Sequence, residues 1–261
     1  MRSTMLCVTT ASRTSTHDSA SAPRHTSATA LKSSPVTLSL DIGGTGIKGM
    51  LLDPKGKPLS ERVRILTPAK PTPAAVLKCI DQIAAALPGF DRVSAGFPGV
   101  IHQGITYLSV NLHPRWRLFP LAEQLEAQLG KPTRAANDAD VAGCGAVSGQ
   151  GVELVITLGT GIGSALFVDG RLCPGLELGH HPWKKKTYEI HLGRAGFKRL
   201  GRSRWNAYLL EAIAQSEKLF NWDRLYLGGG NTKKITAKLP ANVAVISNNM
   251  GLTGGVALWR K

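Results

Sequence analysis

Five short segments of this sequence carry side chains whose types and spacing could do chemistry. In Asp41-Ile42-Gly43-Gly44-Thr45-Gly46-Ile47-Lys48, glycines at a turn let backbone N–H groups come close to phosphate oxygens. Thr45 adds a hydroxyl donor and Lys48 a cation, and Asp41 could hold Mg²⁺ through water. The segment is not a P-loop, because no Gly-Lys-Thr opens a helix. Leu158-Gly159-Thr160-Gly161-Ile162-Gly163 repeats the design. Two such turns facing each other would cradle a chain of phosphates. The plain alternative is two tight hairpins without a ligand.

The third segment is Asn137-Asp138-Ala139-Asp140. A carboxylate just after a strand can sit at a cleft and accept a proton from a hydroxyl. Phosphoryl transfer asks the protein mainly for positioning, charge neutralisation and such a base. The competing reading is helix N-capping, for which Asp140 is the candidate. The fourth is Glu177-Leu178-Gly179-His180 with Glu189 nine residues on, a set able to hydrogen-bond sugar hydroxyls. A metal site at His180, His181 and Glu189 lacks a cysteine to complete a zinc tetrahedron, so no zinc is expected. The fifth is a basic tract: Lys184, Lys185, Lys186, Arg194, Lys198, Arg199, Arg202, Arg204, Lys233 and Lys234. Spacing from Arg194 to Arg202 suits one helix face.

The elements that must position these groups read as α/β. Strands are expected at Val36–Ile42, Gly46–Asp53 and Leu59–Leu66, then a helix over 73–87 and a strand at Arg92–Phe97. The order recurs: strands at Val152–Leu158 and Gly163–Val168 around an Asp169-Gly170 turn, a helix over 204–220, and a strand at Arg224–Leu227 running into Gly228-Gly229-Gly230. Two halves that each open with a Gly-Thr hairpin suggest a duplicated domain with a cleft between the copies. Residues 1–35 are rich in Ser, Thr and Ala without periodicity, and are expected to be disordered.

Composition bounds the function. The 261 residues include 32 Lys and Arg against 17 Asp and Glu, a net charge of +15. Residues 1–35 contribute +3 and residues 36–170 contribute +1, so +11 falls in residues 171–261, with sixteen basic and five acidic side chains. A one-sided basic field attracts polyanions. The four cysteines, Cys7, Cys79, Cys144 and Cys173, are scattered, which fits reduced thiols and a cytoplasmic protein. No apolar run approaches the ~18 residues of a membrane span, so no membrane partner is expected.

Together the segments LDIGGTGIKG, GFPGV, NDADVAG, LGTGIGSALFVDG, LELGHH, YEIHLGRAG, LGRSRWNAYL and LYLGGGNTKK resemble the ROK family of sugar kinases and repressors, of the actin-like ATPase superfamily. The resemblance runs from about Val36 to Trp259 and is strongest to polyphosphate glucokinases within the family. It implies two actin-like (ribonuclease H-like) domains with a sugar in the cleft. One would span 36–136 plus a C-terminal helix at about 252–261, the other, basic and on the phosphoryl-donor side, 137–251. By this resemblance Asp138 falls on the general base for the sugar 6-hydroxyl. Asn137, Glu177, His180 and Glu189 fall on sugar contacts, and Pro98 and Gly99 on the loop lining the sugar. Asp41, Gly43, Gly44 and Thr45 match the first phosphate motif, and Gly159, Thr160 and Gly161 the second. Gly228, Gly229 and Gly230 match a segment near adenosine in ATP-using members. Most ROK kinases carry a three-cysteine zinc loop between the positions of His180 and Glu189. Here, as in polyphosphate glucokinases, a short segment with Pro182 and Lys184–Lys186 replaces it.

The expected activity is phosphorylation of glucose at its 6-hydroxyl with inorganic polyphosphate, and with ATP as another donor, by a homodimer using Mg²⁺. A strictly ATP-dependent hexokinase for glucose, mannose or fructose is the alternative. A sugar-sensing repressor is the remote one, since residues 1–35 show no helix-turn-helix for nucleic acid and Asp138 is retained.

Overall fold

The computed structural model describes residues 34–108, 112–173, 175–247 and 249–260. The expectation of disorder at the N-terminus therefore falls, for residues 1–33, outside the described residues, as does Cys7. The first half of the described chain contains β1 (Thr37–Gly43), β2 (Gly46–Leu52), β3 (Val63–Ile65), α1 (Pro73–Ala86), β4 (Arg92–Phe97), β5 (Val100–His102), β6 (Ile105–Leu108), α2 (Leu121–Leu129), β7 (Thr133–Asn137) and α3 (Asp138–Ala146). The second contains β8 (Val152–Leu158), β9 (Ile162–Val168), β10 (Arg171–Cys173), β11 (Pro182–Trp183), β12 (Lys186–Thr187), α4 (Tyr188–Leu192), α5 (Arg194–Phe220), β13 (Arg224–Gly228), β14 (Val243–Val245) and α6 (Met250–Thr253).

Two five-stranded sheets share one topology. The first runs β3-β2-β1-β4-β7 and the second β10-β9-β8-β13-β14. In each, three antiparallel strands are followed by two parallel ones. The central strands read as apolar runs because both faces are covered. Leu38, Leu40, Ile42 and Ile47 pack with Val76, Ile80 and Ile83 of α1. Leu154, Ile156 and Leu158 pack with Trp205, Leu209 and Ile213 of α5. Each such aliphatic side chain contributes about 1.5–3 kcal/mol through burial.

Helix α3 joins the halves. Its Ala139 packs with Val155, Ala165 and Phe167 of the second sheet. Gly143 lies so close to the Phe167 ring that no Cβ would fit. The chain end then returns to the first sheet: Ser39 Oγ donates to Leu252 O at 2.7 Å, Ser94 Oγ to Gly255 O at 2.7 Å, and Trp259 Nε1 to Ser94 Oγ at 2.9 Å. Within β8, fully buried Glu153 accepts from Ser148 N, Ser148 Oγ, Gly149 N and Tyr226 Oη. Burial alone pushes that carboxyl up, but these four donors outweigh it and hold it below its ordinary value.

Several expectations change. The strand expected at Leu59–Leu66 shrinks to Val63–Ile65. It is a sheet edge, and both Leu59 and Leu66 are exposed. The helix over 204–220 begins ten residues earlier, at Arg194, but Gly201 (φ 74°, ψ 168°) breaks it, so Arg194–Arg202 is not one uninterrupted helical face. The C-terminal helix at 252–261 is instead the short α6 followed by a 3-10 turn over Gly254–Trp259. The chain approaches α3 closely there, since a Cβ at Gly145 would lie 3.0 Å from Gly254 backbone. The Asp169-Gly170 turn forms as expected, both residues having positive φ (49° and 74°). Among the described residues, no helix is long and apolar enough to cross a membrane.

Candidate active site

A cleft of about 720 Å³ opens between the two sheets. The Gly-Thr turns form opposite parts of its wall. In the first sheet, β1 and β2 are in register down to Gly43 opposite Gly46, which leaves Gly44 and Thr45 as a two-residue turn. Thr67 Oγ1 donates to Gly43 O at 2.5 Å and Arg64 Nη2 to Thr45 O at 3.1 Å, fixing that turn. In the second sheet, Leu158 pairs with Ile162 and encloses Gly159, Thr160 and Gly161. Two outside groups hold this turn: Arg194 N donates to Thr160 O, and Asn231 Nδ2 to Gly159 O at 2.7 Å.

Asp138 is the first residue of α3, at the end of β7. Asn137, not Asp140, caps that helix: its Oδ1 accepts from Ala139 N at 2.8 Å and Asp140 N at 3.3 Å. The capping role expected of Asp140 is thus taken by the residue preceding the helix, where capping geometry requires it. Asn137 Nδ2 meanwhile donates to Gly99 O at 3.0 Å, joining the cap to the Pro98-Gly99 loop. Only its second N–H can then serve a ligand.

Glycines from both sheets lie against Asp138. A Cβ at Gly96 would lie 3.5 Å from its Cα, and one at Gly163 3.6 Å from its Oδ1. Asp138 is half-buried and lines the cleft. Burial, with the negative charges of Asp41, Glu177 and Asp140, lifts its carboxyl to about 7, against the pull of Ala139 N–H. Burial and Glu177 also lift Asp140 to about 7. Glu177 is raised by burial and by Glu189, although His180 opposes this from 3.6 Å. Glu189 Oε2 accepts from Ile162 N at 3.1 Å, which leaves its other oxygen for a ligand.

Both signs of charge line the cleft: the carboxylates of Asp41, Asp138, Glu177 and Glu189, and the cations of Arg62, Arg64, Arg194, Lys233 and Lys234. Lys48 Nζ pairs with Asp41 Oδ2 at 2.5 Å, so this lysine neutralises a carboxylate as well as lining the cleft. The carboxylates offer hydroxyl acceptors and a base near neutrality. The cations, with the backbone N–H groups of two glycine turns, suit phosphate oxygens.

The cleft lining includes Asp41, Gly43, Gly44, Thr45, Lys48, Pro98, Gly99, Asn137, Asp138, Gly159, Thr160, Gly161, Glu177, His180, Glu189, Arg194, Gly228, Gly229, Gly230, Lys233 and Lys234. Lys184, Lys185, Lys186, Lys198, Arg199 and Arg202 do not line it. Lys184 is held elsewhere by Glu211 at 2.6 Å and lies over the rings of Trp183 and Tyr208. Arg199 donates to Ile190 O. Sequence reasoning missed Arg62, Arg64 and Asn231. Nothing in the edge-strand pattern marks the two arginines, whereas Asn231 directly follows the glycine run after β13.

Comparison with known proteins bears on this geometry. A family model described as the ROK family matches residues 37–196. A polyphosphate glucokinase of Mycobacterium tuberculosis is 27% identical over 232 residues, covering 82% of this chain and 88% of its own. The crystal structure of an inorganic polyphosphate/ATP-glucomannokinase from Arthrobacter sp. strain KM superposes with a TM-score of 0.80 at 33% identity, covering 87% of this chain and 100% of the other. A ROK family glucokinase from Streptomyces griseus, solved with glucose and AMPPNP, has the same fold (TM-score 0.69, 21% identity, 85% of this chain and 98% of the other).

Proposed function

The chain belongs to the ROK family and has its α/β sugar-kinase fold of actin-like sheets, and on that premise we propose that it transfers a phosphoryl group from inorganic polyphosphate to the 6-hydroxyl of glucose. The observation that carries the reading is the make-up of one cleft: a carboxyl held near neutrality together with two Gly-Thr turns and cations outside any ion pair. None of Arg194, Lys233 and Lys234 is in an ion pair among the described residues.

Glu177, His180, Glu189 and one Asn137 N–H would orient the hexose. Asp138 then accepts the proton of the attacking hydroxyl as the oxygen bonds to phosphorus, and the shortened polyphosphate leaves with the bridging oxygen. A base near pH 7 balances being ionised against being basic enough to take the proton. The glycine turns and Arg194, Lys233 and Lys234 would take the charge of the transferring group and its neighbours.

Mg²⁺ fits the donor set. Asp41 offers a hard carboxylate oxygen on the cleft wall, and a metal held by one carboxylate, water and phosphate oxygens is the ordinary magnesium arrangement. Bound there, it would neutralise phosphate charge. ATP serves as a second donor in this reading, because the glucomannokinase relative is named for both donors and Gly228–Gly230, Ile246 and Met250 line the cleft beyond the turns.

The test is steady-state kinetics of purified protein with glucose and either donor. Formation of glucose 6-phosphate with polyphosphate at a higher kcat/KM than with ATP is expected. Turnover with ATP alone would overturn the donor assignment.

A further inference from the structure

A short hairpin joins two side chains of the cleft. Strands β11 and β12 pair Pro182 with Thr187 and Trp183 with Lys186, which leaves Lys184 and Lys185 as the turn. His180 precedes the hairpin and Glu189 follows it, and both line the cleft. Lysine is an unusual choice for this turn. Lys184 (φ 47°) and Lys185 (φ 64°) both take the left-handed conformation, which two-residue hairpin turns ordinarily give to Asn and Gly. Contacts from outside the turn must therefore hold it.

Those contacts come from a cluster of rings between the hairpin and α5. Trp183 stacks on Tyr188, with ring centres 4.8 Å apart and planes only 4° from parallel. It meets Tyr208 of α5 and His191 of α4 edge-on, each at 5.5 Å, and those two rings lie 5.4 Å from each other. Lys184 closes over the cluster. Its Nζ lies 5.2 Å from the centre of the Trp183 ring, 4.9 Å from that of Tyr208, and 2.6 Å from Glu211 Oε2 of α5. From the inner side, His191 Nε2 lies 3.4 Å from Lys184 O. Ring pairs and cations over rings add to what burial of the same surface contributes.

The cluster reaches the cleft through its neighbours in sequence. Buried Tyr188, covered by Trp183, donates its N–H to His181 O at 3.3 Å, which ties the end of the hairpin to its beginning. Glu189 is the next residue after Tyr188, and His180 the one before His181. Trp183, Tyr208 and Glu211 do not themselves line the cleft. We propose that Trp183, backed by Tyr208, Lys184 and Glu211, is a positioning residue for the hexose, setting where Glu189 and His180 stand without touching the sugar. The inference rests on the reading of those two side chains as hexose contacts, and it holds whichever phosphoryl donor is used.

The experiment measures KM for glucose and for the donor, each with the other saturating, in the wild-type protein and in Trp183→Ala, Trp183→Phe, Lys184→Ala and Lys185→Gly. Trp183→Ala should raise the glucose KM roughly tenfold to a hundredfold, since a misplacement of about 1 Å can cost ~10²-fold, and leave the donor KM within about twofold. Trp183→Phe keeps a ring on Tyr188 and should return the glucose KM to within about fivefold of wild type. Lys184→Ala changes an exposed side chain and decides the question should Trp183→Ala not fold. Loss of one exposed ion pair and its ring contacts should raise the glucose KM roughly threefold to thirtyfold. Lys185→Gly removes the neighbouring charge, suits the left-handed turn, and should stay within about twofold of wild type. A lowered melting temperature with an unchanged glucose KM makes the cluster merely structural and overturns the inference, as does an equal rise in both constants. If Glu189→Gln leaves the glucose KM unchanged, the reading of Glu189 falls and the inference with it. If Glu189→Gln raises it but Trp183→Ala and Lys184→Ala do not, only the positioning role is overturned.

Discussion

Replacing Asp138 with Asn is expected to remove activity and, above pH 7, to make the fold more stable. The carboxyl of Asp138 rises from 3.8 to about 7 because burial and the charges of Asp41, Glu177 and Asp140 disfavour its ionised form. A shift of about three units corresponds to about 4 kcal/mol between the protonation states. The sign follows from proton binding. Between pH 4 and 7 the folded protein holds a proton that the unfolded chain has released, so this group's contribution to stability falls as pH rises through that window. At pH 8 the wild-type protein carries most of the cost, and the neutral amide does not. A chain of this size gains roughly 2–4 °C in Tm per kcal/mol. Asp138→Asn should therefore melt several degrees above wild type at pH 8, with less than half of that gap left at pH 5. Scanning calorimetry at both pH values, with a glucose 6-phosphate assay alongside, makes the comparison. A melting difference that does not depend on pH, or a loss of stability at pH 8, would refute the electrostatic account. Activity above about a tenth of wild type would refute the role of Asp138 as base, since general base catalysis contributes ~10²–10⁴-fold. In the wild-type enzyme, kcat/KM should climb with pH through an apparent value near 7. The rise should be broadened by coupling to Asp140, which titrates in the same range.

Glu189→Gln should raise KM for the hexose roughly tenfold to a hundredfold, as for loss of a charged hydrogen bond, and leave the donor KM alone, because the amide oxygen still accepts from Ile162 N. Equal changes in both constants would contradict it. Gly163→Ala should lower kcat at least about tenfold in a folded protein, since its Cβ would sit 2.6 Å from Thr157 Oγ1 and 2.9 Å from Ala139 Cβ and displace the start of α3. Unchanged kcat would mean that Asp138 tolerates movement there. Glu153→Ala, which strands buried donors of Ser148, Gly149 and Tyr226, should cost about 3–5 kcal/mol in urea unfolding. The wild-type contribution from Glu153 is present above pH 4.5 and fades as pH falls through the group's lowered value.

Much of the site was legible because glycine and charge spacing are local signals. The turns after β1 and β8 announce themselves by Gly-Thr at the end of an apolar run, and both line the cleft. Asp138 was legible for the same reason, as a carboxylate at a strand end. What stayed hidden depends on contacts between distant segments. Asn137 rather than Asp140 caps α3 because the helix starts at Asp138, three residues earlier than a cap at Asp140 would place it. Arg64 belongs to an edge strand of three residues, too short to show a period, and Arg62 directly precedes it. The basic tract read as one group, but folding divides it. Lys184 turns to Glu211 and the rings of Trp183 and Tyr208, while Arg194 and Lys234 reach the cleft. The break at Gly201 lay inside a strong helical pattern and becomes visible only in its positive φ.

The central claim is that this cleft moves a phosphoryl group from polyphosphate directly to a sugar hydroxyl. Phosphorus NMR of the purified protein with glucose, polyphosphate and Mg²⁺, in the absence of any nucleotide, tests it most directly. A growing phosphate monoester signal of glucose 6-phosphate, with inorganic phosphate no higher than in a protein-free control, is the expected result. Orthophosphate released without a sugar ester, or an unchanged spectrum, would contradict the account.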